Sequence, residues 1–196
     1  MKNFLKNIIF ISLFMTLGLN ADIKSDISTQ FTTRLDAALQ VVNNKELTKE
    51  QRNEGIIKAI KPMFDFELMA KLSIGRAWKK LDSSTKKEFI ATYVKRMEKS
   101  YSNKIDEYTD EKVVIEDLKQ PKPNKAVLIT YLASKNDKLT MYYKFYHPKK
   151  PKPNKDEWLI YDVVIAGVSI IKADRAQFSE VLKSHDINYL MEQMKK

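Results

Sequence analysis

The segment Trp158–Ile171, WLIYDVVIAGVSII, constrains the fold more than any other part of the chain. Side chains leave a strand on alternating faces, so a strand with one wet face alternates apolar and polar residues. Here Trp158, Ile160 and Val164 are apolar on one parity, and Leu159, Val163 and Ile165 are apolar on the other. Both faces avoid water. The strand must be sandwiched in a core, or one of its faces must line an apolar cavity.

The first residues point to export. Lys2 and Lys6 form a basic start, Ile8 to Leu19 is an apolar run, and Gly18-Leu19-Asn20-Ala21 offers small residues for cleavage. Twelve apolar residues make a helix of roughly 18 Å, too short for a hydrocarbon core of about 30 Å. The pattern is that of a secretory signal peptide over residues 1–21, cut after Ala21. Its removal takes two lysines and no acid, lowering the formal charge from +10 to +8. Residues 22–196 make one domain, expected to be a periplasmic monomer. With no cysteine, it must be stable through its core without disulfides. A basic exported protein meets anionic lipid or an acidic protein face, not nucleic acid.

Helical periodicity fills the front half. Ile23, Ile27, Phe31, Leu35, Leu39 and Val42 form one stripe, and Thr48 with Gln51 reads as a capping box opening a second helix. Pro62 ends or kinks that helix, and a third runs from Phe66 to Ile74, stopping near Gly75. Asp82 can cap the longest helix, which carries Phe89, Tyr93, Met97, Tyr101 and Ile105 at four-residue spacing. From Glu111 the period becomes two. Residues 111–118, 126–133, 139–147 and 157–166 read as four strands with short connections, hence an antiparallel meander. Two helices follow, at about 174–183 and 186–194. Helices, then strands, then helices is an α+β plan, with helices packed on one face of a curved sheet.

Catalytic equipment is sparse. His147 and His185 stand apart in sequence, and closed zinc sites need four ligands while catalytic ones usually need three. Ser184-His185-Asp186 is no triad, because adjacent side chains diverge. No phosphate-binding glycine loop, GxSxG or HExxH occurs. Asp162 inside an apolar strand could be an acid or base, but such a carboxylate more often caps a turn or pairs with a cation. No enzyme and no cofactor are indicated.

Two segments resemble the MlaC family of periplasmic phospholipid-binding proteins, also called the toluene-tolerance family. One is Gly75-Arg76-Ala77-Trp78-Lys79-Lys80 with the helix through Phe89, Tyr93 and Tyr101; Ala77 departs from the aromatic common there. The more specific one is Trp158-x-x-Tyr161-Asp162-Val163, then Gly167-Val168-Ser169 and Gln177-Phe178. The resemblance implies an NTF2-like, cystatin-type antiparallel sheet wrapped by helices, with phospholipid tails held as cargo in an apolar pocket. It also implies a shuttle that maintains outer-membrane lipid asymmetry. Its partners would be an outer-membrane lipoprotein–porin complex and an inner-membrane ABC transporter with its periplasmic lipid-binding subunit.

Under that reading the tail-lining candidates are Phe89, Tyr93, Met97, Tyr101, Met141, Tyr143, Phe145, Trp158, Ile160, Val163, Ile165 and Val168. Flexible Met and amphipathic Tyr suit a cavity that admits varied chains, although buried aromatics are usually plain packing. The second strand is ambiguous, since Leu128 and Leu132 share one parity while Ile129 and Tyr131 share the other. The sequence PKPNK occurs at 121–125 and 151–155, and a meander brings both loops to one end of the sheet. Lys122, Lys125, Lys149, Lys150, Lys152 and Lys155 would then form a docking rim for anionic headgroups or an acidic partner, unless they merely keep the loops soluble. Two other readings stay open: an exported basic interaction module with a solid core, and a small NTF2-like enzyme.

Overall fold

The computed structural model describes residues 16–106, 112–133 and 138–196, with side chains described from residue 23 onward except at 101–106. Residues 1–15 of the expected signal peptide, and the side chains of Tyr101 and Ile105, lie outside that description. Six helices are described: α1 (Thr16–Asn43), α2 (Lys49–Ile60), α3 (Phe66–Ile74), α4 (Ser83–Asp106), α5 (Ile170–Ser184) and α6 (Ile187–Lys195). Five strands are described: β1 (Lys112–Lys122), β2 (Lys125–Ala133), β3 (Lys138–Tyr146), β4 (Leu159–Ile165) and β5 (Val168–Ser169). They pair antiparallel in the order β1-β2-β3-β4-β5, an open meander. The expected α+β class is the one found.

Helix limits follow local chemistry. The Thr48 hydroxyl accepts the Gln51 N–H at 3.2 Å and the Gln51 side chain accepts the Thr48 N–H at 2.9 Å, so α2 opens on the expected capping box. Pro62 sits in a 3-10 turn, Lys61–Met63, that separates α2 from α3. Asp82 accepts the Thr85 N–H at 2.8 Å and starts α4. Helix α5 begins at Ile170, four residues ahead of expectation, because Ser169 caps it by accepting the Lys172 N–H at 3.1 Å. The two-residue β5 was not foreseen; it forms because the turn at Ala166–Gly167, both at positive φ, folds Val168 and Ser169 back onto β4.

The apolar run in β4 has a specific explanation. Between β3 and β4, Lys144 pairs with Asp162 but Phe145 pairs with Ile160, which leaves Tyr161 as the extra residue of a bulge. A bulge switches parity. Ile160, Val163 and Ile165 therefore share the face of Phe145, Tyr143 and Met141, although their numbers mix odd and even. A second shift at Glu116 does the same in β1, placing Val113, Ile115 and Leu118 opposite Leu132, Thr130 and Leu128. This resolves β2 as well: Ala126, Leu128 and Thr130 are buried on the helix-facing side. Ile27 and Phe31 of α1, Phe89, Tyr93 and Met97 of α4, and Phe178 of α5 join these strands in one apolar cluster.

Asp162 lands on the opposite face, at 5 % exposure. Its carboxylate accepts the Ser169 hydroxyl at 2.8 Å and the Ile171 N–H at 3.2 Å, and pairs with Lys144 at 2.8 Å. It pins the start of α5 to the sheet, the turn-capping and cation-pairing role weighed above. Replacing Asp162 by Ala strands a lysine, a hydroxyl and an N–H together, so a loss of about 3 kcal/mol is expected in urea unfolding. Asp162→Asn, which keeps an acceptor, should lose less.

Candidate functional site

The candidate site is the helix-facing wall of the sheet and the helices that cover it. A side chain can line open space only if it keeps accessible surface, and by that criterion the eleven expected tail-lining residues whose side chains are described separate. Phe89, Tyr93, Phe145 and Ile160 are at 0 % exposure, wholly covered by their neighbours. Phe89 and Tyr93 pack edge-on against Phe178, with ring centroids 6.5 and 6.4 Å apart, and the Tyr93 hydroxyl donates to buried Asp174 at 2.8 Å. Met97, Trp158 and Val163 are also buried. The four at 0 % face no open space in this conformation, and the other three keep almost no surface. Val168 is 60 % exposed beyond the β4–β5 turn, outside the enclosed interior. Parity alone places it inside, because parity does not register the turn at Ala166–Gly167.

Met141, Tyr143 and Ile165 are different: they sit on the inner face yet are only half-buried. Val113, Ile115 and Leu118 of β1, Ile23 and Leu35 of α1, and Ile90 and Val94 of α4 share that condition and pack against the same core. Sequence reading missed the β1 trio, since the Glu116 shift hides their common face. Those of the strands and α1 mark the wall between β1–β4 and α1, where the Phe31 and Tyr143 rings meet at 4.8 Å.

One polar spot interrupts this wall. The Tyr143 hydroxyl donates to Met141 Sδ at 3.6 Å, beside the buried Thr130 hydroxyl, which has no hydrogen bond of good geometry. Burial pushes the Tyr143 phenol up to about 12, and the neighbouring Thr130 hydroxyl opposes that shift. Tyr143 is thus an uncharged, weakly polar element of an apolar surface.

Helix α1 is tied down over the wall by a polar strap. Gln30 donates to the Trp158 carbonyl at 2.8 Å and accepts the Trp158 N–H at 3.2 Å. One turn further on, Arg34 forms a forked pair with Asp156, at 3.0 and 2.5 Å. Trp158 therefore belongs to this strap.

The His147 N–H donates to the Asn124 carbonyl at 3.1 Å, so the first PKPNK turn lies beside the start of the β3–β4 connection that carries the second. Their lysines are not equivalent. Lys152 neutralises buried Asp65 at 2.8 Å, and Lys155 donates to the carbonyls of Lys61 and Phe64 at 2.8 and 2.7 Å. Desolvation lowers the Lys155 pKa. Lys125 lies over the Tyr161 ring at 4.3 Å. Three of the six lysines thus hold the fold, while Lys122, Lys149 and Lys150 are exposed. His147 contacts Glu157 at 3.0 Å and His185 stacks on Tyr189 at 3.8 Å, so the histidines do not converge. Among the described residues no acidic or histidine cluster could hold a metal, and no helix is long and apolar enough to cross a membrane.

An open antiparallel meander with an apolar, helix-covered wall defines an α+β scaffold. Residues 32–196 match the family described as MlaC protein, and the chain belongs to that family. It is 25 % identical over 137 residues to the "Intermembrane phospholipid transport system binding protein MlaC" of Haemophilus influenzae. That alignment takes in 68 % of this chain and 62 % of the relative's length. In fold it is similar to a phospholipid-binding protein from Ralstonia solanacearum solved in complex with a phospholipid. The TM-score is 0.71 at 14 % identity, covering 85 % of this chain and 93 % of the other.

The raised Tyr143 pKa has a consequence for alkaline stability. Its pKa is higher folded than unfolded, so its contribution is complete below pH 10 and is lost as pH rises through about 12. Tyr146, raised by burial and by Asp65 beside it, acts in the same direction. Urea unfolding across this window should show Tyr143→Phe losing less stability than wild type.

Proposed function

We propose that the protein is a periplasmic phospholipid carrier, whose cargo tails occupy the wall between the sheet and α1. The supporting observation is the patch of half-buried apolar side chains at Val113, Ile115, Met141, Tyr143 and Ile165 on the inner face. The phospholipid in the Ralstonia solanacearum structure and the printed role of the Haemophilus influenzae relative support the same cargo.

The energetics require such a wall. Exposing one tail methylene to water costs about 0.8 kcal/mol, so roughly thirty would cost on the order of 24 kcal/mol. Side-chain hydrocarbon in place of bilayer hydrocarbon makes the exchange nearly balanced. Direction must then come from partners: on this reading an outer-membrane lipoprotein–porin complex and an inner-membrane ABC transporter with its periplasmic lipid-binding subunit. Residues 1–21 act as the export signal, and the carrier serves outer-membrane lipid asymmetry as a monomer.

The complete coverage of Phe89, Tyr93, Phe145 and Ile160 favours a second reading, an exported interaction module with a filled core. Native mass spectrometry of protein purified from exporting cells separates the two. A carrier retains one or more phospholipids; a filled core retains none. For the carrier, Met141→Trp and Ile165→Trp should lower lipid occupancy by about half or more, by filling the wall with ring volume. Val168→Trp, outside the interior, should leave occupancy unchanged in equally well-folded protein.

A further inference from the structure

We propose that the end of the sheet at the β4–β5 turn, with the 3-10 helix Gly75–Lys80 and the first turns of α5, is the surface that rests on an anionic phospholipid bilayer. The inference deepens the carrier reading and takes its purpose from it.

Two large apolar side chains stand exposed at this end. Val168 is 60 % accessible and Leu139 37 %. They belong to one end because β5 pairs Val168 with Ile165, Ile165 pairs with Met141, and the Ala166 N–H donates to the Thr140 carbonyl at 3.3 Å. Val168 and Ser169 lead directly into α5, where Lys172 and Arg175 are exposed three residues apart and so share a face.

Arg175 links α5 to the 3-10 helix. A Cβ added at Gly75 would lie 2.8 Å from Arg175 Cζ, so only glycine lets the guanidinium lie this close to the backbone. Gly75 also has φ +53° and ψ −117°, a conformation that side chains resist. The same helix adds exposed Arg76, Lys79 and Lys80. Residues 76 and 79 are in register, because side chains three apart eclipse in a 3-10 helix. Trp78 is half-buried among them, with the Lys86 ammonium 5.7 Å from its ring.

None of Arg76, Lys79, Lys80, Lys172 or Arg175 has an ion-pair partner among the described residues. Nearby carboxylates are committed elsewhere: Asp174 to Arg96 and Tyr93, Asp162 to Lys144 and Ser169, and Asp82 to the first turn of α4. Among the described residues, positive charge accumulates here without local cancellation. These cations are spread over two elements on long flexible stems. The two grooves described lie elsewhere, near the end of α1 and between α4 and α6. Spread cations around two exposed apolar tips match a fluid anionic surface better than a shaped anion.

Flotation of the full protein with vesicles tests this, using phosphatidylcholine alone or with about one-third phosphatidylglycerol. Wild type should float with the anionic vesicles at low salt and fall away at high salt. Arg76→Gln/Lys79→Gln/Lys80→Gln/Arg175→Gln should bind at least about tenfold more weakly, and Val168→Ser several-fold more weakly. Lys122→Gln/Lys149→Gln/Lys150→Gln should change binding less than about twofold. Equal binding by the quadruple variant, an equal loss in the triple variant, or no binding by wild type overturns the proposal; the last outcome would leave an acidic protein as the partner. Lipid content by native mass spectrometry is read on the same samples. If no sample carries lipid but flotation follows the expected order, the carrier reading falls and the docking surface stands.

Discussion

The two parity switches, at Tyr161 and Glu116, decide what every other part of the molecule must do. Without them a regular ladder would turn Ile160 away from the helices while keeping Val163 and Ile165 toward them, or the reverse. The bulge brings all three to one face and leaves Asp162 on the other. With the Glu116 shift in β1, that displacement makes one continuous apolar wall across four strands. It also delivers a carboxylate to the point where α5 must start. The helices cover this wall, because apolar area of that extent costs too much in water.

The cover is held by buried carboxylates that each recruit a cation. Asp65 caps α3 at the Leu68 N–H and holds Lys152; Asp162 fixes the start of α5 and holds Lys144; Asp174 joins Tyr93 and Arg96 of α4 to α5. A buried ion pair adds little net stability over an apolar isostere, but breaking one is expensive, so such pairs tolerate few alternative arrangements. In a chain without cysteine they fix the register between layers. Lys152 shows how this changes a sequence reading. Counted with its loop it looks like free surface charge, whereas Asp65 makes it part of the fold.

Elements with their own local signal were legible in the sequence. The Thr48–Gln51 box, the Asp82 cap, the Phe66–Ile74 helix and the four long strands all announce themselves within a few residues. The wall was only partly legible, since its residues depend on cross-strand register, and a one-residue bulge leaves no clear mark in an apolar run. Hence Val113, Ile115 and Leu118 escaped notice and Val168 was drawn inward. The aromatic stripe of α4 was read as cavity because helical spacing shows which face is apolar, not what it meets. What Phe89 and Tyr93 meet is Phe178, eighty-five to eighty-nine residues away in sequence.

The contrast between covered and half-covered side chains bears on how a tail could be accommodated. The α4–α5 side is filled: Phe89, Tyr93, Phe145 and Phe178 leave no surface for a guest, and their ring contacts would have to be rebuilt to admit one. Under α1 the wall keeps accessible apolar surface, and the helix is fastened by the Gln30–Trp158 and Arg34–Asp156 contacts near its middle. Polar contacts of that kind can be exchanged for water at modest net cost, and Ile27 and Phe31 are buried side chains of α1 that would have to shift with them. On the proposed function, lipid would therefore be admitted by α1 yielding while the α4–α5 side stays rigid. A carrier needs that asymmetry, because a wall that gave way everywhere could not keep its shape once the cargo had left.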